Sequence, residues 1–455
     1  METTNNANLD LFIQLVRGID KKVLINLLNK SWEMDKLKTM AIIFNSRDRL
    51  KGKKEKEISN FCLLWLKQNY NNIYKHNILT YINKYGCWND LNYIINKTVN
   101  NNFEYKLFAM QLKKDKEALN ENNEISLCSK WVINSNTNKT IKIARYLFDN
   151  IKNYHERYRK EYLIPLRQKL ELIETKICKN NWENIDYNKI PAGALNYYKK
   201  LFVKKDNEKY SNFLKDVANN KRELKITGLL PHNIIKSYLY NPDTNIDETL
   251  ELQWKTLVSS YNNDDNDDNN ILPIIDVSGS MFQKTNNVIP ITVSIALGLL
   301  LAEINKGIYH KKMITFSESP RLIEITGETL KEKITNIRNS EVGLNTDFLK
   351  IADLIIDMNI KRLICFTDMQ FDSGQNHQLF IDKFKNNNLP VPELIYWNLS
   401  GKYNNFPINN EDTNTSIISG FSEQLLKIIM DKNKINPEQI MNKTLEPYYN
   451  NIIMI

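Results

Sequence analysis

The stretch ILPIIDVSGSMFQ begins at Ile271. In it Asp276, Ser278 and Ser280 set a carboxylate and two hydroxyls at alternate positions, directly after an apolar run of strand type. Oxygen side chains spaced this way on a turning loop can converge on one point. Oxygen donors without nitrogen or sulfur suit a hard cation such as Mg²⁺. One carboxylate and two hydroxyls leave that cation under-neutralised, so an incomplete shell would attract an acidic group from a partner. Taken alone, the pattern is also ordinary turn chemistry, because Asp and Ser cap turns readily. Two further stretches supply matching oxygens. GLNTDF puts Thr346 at the start of a helix, and LICFTDMQFD puts Asp368 at the end of a very apolar strand. Asp347 and Asp372 lie close by in sequence and read as supporting or surface residues.

Enzyme chemistry is less well served. A phosphatase of the haloacid dehalogenase type needs a second acid two residues after its nucleophilic Asp, and here that residue is Ser278. Neither GxxxxGK[ST] nor GxSxG is present. No His lies near Asp276 in sequence to activate a serine. The expected role is non-catalytic binding; a metal-dependent hydrolase would need a His or Glu base within reach of a metal-bound water.

These residues require a sheet whose strands end together. After residue 270, strand-like runs alternate with helices: ILPIID, helix 288–304, KKMITFS, RLIEI, helix 330–337, helix 348–358, RLICFTD, helix 377–385, ELIYWNL, TSIIS and helix 421–430. Such alternation predicts an open, mostly parallel sheet covered on both faces. Ligands gather at the carboxyl ends of its strands, where IIDVSGS and CFTDMQFD both fall. The apolar run VIPITVSIALGLLLA is shorter than the ~20 residues of a membrane span and reads as a buried helix.

The first part is helical. Ile58, Phe61, Cys62 and Trp65 recur at i, i+3, i+4, i+7. NILTYINKYG ends at Gly86, read as a left-handed helix end, and Asn89 or Asp90 is a candidate N-cap for the next helix. Many short amphipathic helices with short loops predict stacked pairs, an α-solenoid of the HEAT type. Residues 262–270 are only Asn and Asp, too polar to repay ordering. The expected organisation is therefore a helical domain over 1–260, a linker over 261–270 and a doubly wound α/β domain over 271–455.

The net charge of +9 is uneven. Residues 1–270 hold 44 Lys and Arg against 33 Asp and Glu, and the remainder 18 against 20. A localised basic excess points to a polyanion such as structured RNA. The densest cluster is Arg47, Arg49, Lys51, Lys53 and Lys54, with Gly52 allowing close approach of the backbone; such clusters contact phosphates without reading sequence. Trp88 reads as core. Five scattered cysteines argue for reduced thiols, and the start lacks a secretory pattern, so an intracellular, cytoplasmic protein without a membrane anchor is expected. Oligomeric state is left open. If the basic residues scatter without a continuous patch, a protein-only scaffold is the alternative.

Asp276, Ser278, Ser280, Thr346 and Asp368 together resemble the von Willebrand factor A domain and its metal-ion-dependent adhesion site, over roughly residues 271–430. The resemblance implies Ser278, Ser280 and Thr346 as hydroxyl ligands of Mg²⁺, Asp276 and Asp368 acting directly or through water, and an acidic residue of a bound protein in the vacant position. NSRDRLKGKKEKE, YGCWNDL, SLCSKW, PLRQKLELIE, IPAGALNYYKKLF, LLPHNII, ALGLLLAE, ITFSESP, TDMQFD, IYWNL and SGFSEQLLK, in this order, resemble a family of unknown function from plants, fungi and large DNA viruses. The arrangement is also similar to the Ro autoantigen family, in which a helical TROVE module joined to a von Willebrand A domain binds RNA.

Overall fold

Six apolar runs form strands at the six places the alternation predicts: β1 (Ile271–Asp276), β2 (Lys312–Phe316), β3 (Arg321–Glu324), β4 (Arg362–Thr367), β5 (Glu393–Asn398) and β6 (Thr415–Ser419). The structure is a computed structural model and describes residues 4–135, 137–261, 270–284, 288–316, 319–339, 349–370, 376–401, 414–430 and 436–454. Thr346, Asp347, Asp372 and the Asn/Asp run 262–269 lie outside the described residues.

The strands form one sheet in the order β3-β2-β1-β4-β5-β6. All neighbours are parallel except β2 and β3. Every residue of β1, β4, β5 and β6 is buried, as expected for parallel strands covered on both faces. The chain adds β2 and β3 on one side of β1, then crosses to add β4, β5 and β6 on the other. In open α/β sheets, ligands bind at such a switch, here between β1 and β4.

The helix Pro290–Ile304 is buried at every position, which explains its all-round apolar sequence. Burying each Leu or Ile contributes about 1.5–3 kcal/mol. Its polar residues are all satisfied: Ser294 donates to the Phe366 carbonyl (2.9 Å), Thr292 bonds the Tyr240 hydroxyl (2.6 Å), and Glu303 accepts from Trp254 Nε1 (2.5 Å). Gly298 faces β1 so closely that a Cβ would stand 2.3 Å from Ile275 Cγ2. The helix thus fixes β1 one residue before Asp276.

The residues group into two compact units: Met1–Ile58 with Pro191–Asn450, and Ser59–Ile190 with Asn451–Ile455. In the first, helices Pro231–Tyr240 and Glu248–Ser259 pack on Pro290–Ile304, and α1 (Ala7–Gln14) packs on α2 (Lys21–Met34) and α3 (Lys36–Arg47). α1 meets β6, and α3 meets the terminal helix Pro437–Tyr449.

The second unit is helical among its described residues, with π-helical turns at Tyr81–Tyr85 and Tyr158–Leu163. Its core includes Cys62, Trp65, Tyr74, Trp88 and Phe108. Gly86 is not left-handed: its φ is −98°. Glycine is needed there because a Cβ would stand 2.6 Å from Asp90 Oδ2. Asp90 is likewise not the N-cap. That position is Cys87, and Asp90, three residues on, accepts from the Cys87 amide (2.9 Å), the reciprocal arm of a capping box.

Candidate functional site

Ile275 pairs with Phe366 across β1 and β4. The next residues, Asp276 and Thr367, therefore leave the sheet side by side at the switch point. Thr367 Oγ1 donates to Asp276 Oδ2 (2.6 Å), and the Ser278 amide donates to Asp276 Oδ1 (2.9 Å). These two bonds hold the aspartate and turn the chain into the 3₁₀ turn Gly279–Phe282. That turn brings the hydroxyls of Ser278 and Ser280 within 3.1 Å of each other. Ser280 donates in turn to Asp368 Oδ1 (3.3 Å). Four of the five candidate cation ligands are thus assembled; the fifth, Thr346, is outside the described residues.

Asp368 is followed by Met369, a buried non-glycine residue at φ 65°. Left-handed backbone at such a residue is rare and concentrates at functional sites. Here it folds the loop back so that the Gln370 amide and side chain reach Asp368 (3.3 and 3.2 Å). Sequence reasoning passed over Thr367, Met369 and Gln370. Thr367 was legible only as the hydroxyl beside Asp368, because nothing local shows that it braces a residue 91 positions away.

The site is electrostatically unbalanced. Asp276 is 0% exposed, so it is not on a surface loop. Burial, and then the charge of Asp368, push its carboxyl up to about 7. Burial also raises Asp368. Among the described residues no Lys or Arg forms an ion pair with either carboxylate. Two buried acids side by side without a cation are costly, and a bound cation relieves both. Among the described residues there is no group of three or more His, Cys, Asp or Glu placed to hold a metal; this cluster has two carboxylates, and its other donors are hydroxyls. That oxygen-only set fits a hard divalent ion.

The basic cluster is placed very differently. Arg49 and Lys51 are exposed, but Arg47 and Lys53 are buried. The loop after α3 folds back along the helix end: the Lys53 amide donates to Asn45 O (3.0 Å) and the Glu55 amide to Ser46 O (2.8 Å). Gly52 permits this, since a Cβ there would lie 2.0 Å from Asn45 O. Lys53, 2% exposed, sends its ammonium to the carbonyls of Phe12 and Leu15 (3.3 Å) and to Ser419 Oγ (2.8 Å). It thereby satisfies the orphan carbonyls at the end of α1. Burial lowers its ammonium to about 7. Lys54 pairs with Glu423 (2.7 Å) and Arg17 with Glu55 (2.7 Å). Arg47, Lys53 and Lys54 therefore lie inward, and Lys53 joins α1 to the end of β6; these three are not a phosphate-facing surface.

DUF2828, a domain of unknown function, matches residues 1–106 and 105–265. The chain belongs to the DUF2828 family. A second domain of unknown function, DUF7788, matches residues 270–450 of this DUF2828 chain. Uncharacterized protein L728 of Acanthamoeba polyphaga mimivirus is 31% identical over 507 aligned positions, covering 100% of this chain and 87% of the relative. The crystal structure of the Deinococcus radiodurans RO (RSR) protein aligns with 98% of this chain and 100% of its own at 10% identity and a TM-score of 0.45. A likeness of that size does not establish a shared fold. Among the described residues no helix is long and apolar enough to cross a membrane.

Proposed function

We propose that this DUF2828 protein is a non-catalytic, cation-dependent binding protein. Ser278, Ser280 and Asp368 would hold Mg²⁺ at the carboxyl edge of the sheet, with Thr346 completing the protein donors and Asp276 acting through the hydrogen bonds that orient the loop or through a water. The cation would leave a position for an acidic group of a partner protein. The observation that carries this reading is the pair of buried carboxylates joined to two hydroxyls at the switch point, with no ion pair to a cationic side chain among the described residues. The mostly parallel sheet and the place of the site within it support a von Willebrand A-like domain.

Titration of Mg²⁺ into chelator-treated full-length protein by calorimetry tests it. One saturable site is expected. Asp368→Asn, which keeps shape and loses charge, and Ser280→Ala should each weaken it at least about tenfold, roughly one lost charge-assisted contact. Undiminished Mg²⁺ binding in both variants, or none in the parent, would sink the reading. Asp276→Ala is the poorer probe, because it strands the buried Thr367 hydroxyl.

A second reading is RNA binding through the helical unit. Charge favours it. Residues 59–190 hold 21 Lys and Arg against 13 Asp and Glu, a net of +8, whereas the other unit nets only +1. RNA affinity should then fall steeply with salt. Failure to bind structured RNA at low salt would leave the protein-only scaffold.

A further inference from the structure

The charged stretch YHERYRKEY, residues 154–162, is mostly self-neutralised. Arg157 pairs with Glu161 (2.8 Å) and Lys160 with Glu156 (2.7 Å). Lys130 nearby in the fold pairs with Glu174 (2.9 Å). Two arginines are left over. Arg159 is exposed and has no carboxylate partner among the described residues. Arg167, two helical turns on, is half-buried and also has none. Its Nε donates to the Ser129 carbonyl (2.8 Å), which fixes the plane of the guanidinium. Its terminal nitrogens have no hydrogen-bond partner among the described residues. The Ser129 side chain is fully buried, and its hydroxyl is unpartnered.

Burial lowers the pKa of the Arg167 guanidinium, and the positive charge of Arg159 lowers it further. Like charges held together without an anion raise the energy of the fold. The backbone between them includes the π-helical turn Tyr158–Leu163, a local widening that is common at functional sites. A planar guanidinium anchored through Nε presents its two terminal N–H groups as a fork, the geometry that matches a phosphate.

We infer that Arg159 and Arg167 form a phosphate site in the helical unit, which takes a phosphodiester of an RNA strand. This rests on the RNA reading above, and it moves the contact from the loop after α3 to the segments YHERYRKEY and PLRQKLELIE. Arg167 supplies the fixed, directional contact. Arg159 supplies charge from the exposed side.

The test uses the full chain and a structured RNA hairpin, followed by fluorescence anisotropy across a salt series. Arg159→Gln, on the exposed side, should weaken binding about tenfold and reduce the salt slope by about one; Arg159→Gln/Arg167→Gln should reduce it by about two. Arg167→Lys keeps the charge but not the fork, so it should bind more weakly than the parent at an unchanged salt slope. Arg49→Gln/Lys51→Gln should bind as the parent does. Equal RNA affinity in the parent and the Arg159/Arg167 variants overturns the site and leaves the RNA reading standing. A second arm reads the melting temperature with inorganic pyrophosphate. If the parent ignores RNA but is stabilised by pyrophosphate, and the double variant is not, the site stands and its ligand is a free phosphate compound. If neither RNA nor pyrophosphate acts on the parent, both readings fall.

Discussion

His232, from LLPHNII, sits in the first unit with its ring edge-on to Phe421 (5.7 Å) and only 3% exposed. Burial, then the charges of Arg17, Lys236 and Lys54, push its pKa down to about 3. The folded protein keeps the ring neutral where the unfolded chain protonates it. Stability from this group is therefore full above the unfolded value near 6.5 and is lost as pH falls from there towards 3. His232→Gln should remove that dependence. The difference in unfolding free energy between parent and variant should slope by up to about 1.4 kcal/mol per pH unit below pH 6, measured by urea unfolding; parallel pH profiles would contradict it. Lys53 makes a second residue-scale case. Its ammonium ends α1 and bonds Ser419, so Lys53→Ala should lower stability by about 1–3 kcal/mol and leave RNA affinity unchanged. A loss of affinity with unchanged stability would restore the surface role.

Between residues and elements, the loop after α3 shows how composition misleads. A run of Arg and Lys gives charge but not direction. Direction depends on where the backbone turns, and that depends on Gly52 resting against Asn45 O. Gly52→Ala should cost about 1–3 kcal/mol through overpacking, read as a lowered denaturant midpoint; an unchanged midpoint would show that the loop can move aside. The loop is further tied to the terminal helix, where Tyr448 donates to Asp48 Oδ2 (2.8 Å) and Asn45 donates to Tyr448 (3.3 Å). These partners lie about 400 positions apart, so no local pattern reveals them. The strands were legible because each is a short apolar run bounded by turn residues. The DVSGS loop was legible because Asp276, Ser278 and Ser280 fall within one turn. The long-range braces of that site, Thr367 and the left-handed Met369, were not.

For the whole molecule, the sheet shares its unit with the first 58 residues and with 191–261. Helices Pro231–Tyr240 and Glu248–Ser259 pack on Pro290–Ile304, and α1 covers β6. A fragment of residues 271–455 would expose those apolar faces to water. It should aggregate or lack near-ultraviolet circular dichroism, whereas the full chain unfolds cooperatively; a monomeric fragment with native-like near-ultraviolet signal would refute this. Charge divides at the same scale, +8 in the helical unit against +1 in the other. Salt should therefore act on any polyanion contact far more than on the proposed cation site, whose carboxylates are buried and weakly screened.

Sequence alone determined the type and order of the elements, the mostly parallel sheet, and three oxygens of the candidate cation site. Each of these is written in local spacing: short continuous apolar runs, period-3.6 apolar faces, and alternate polar residues on one turn. Tertiary structure alone decided which distant residues share a surface. It brought Asp368 to Ser280 across β1 and β4, turned Lys53 and Lys54 inward, and left Arg159 and Arg167 without a carboxylate partner among the described residues. The physical reason is that burial and charge balance depend on the sum of neighbours in space, and a chain of 455 residues chooses those neighbours only when its helices and strands pack.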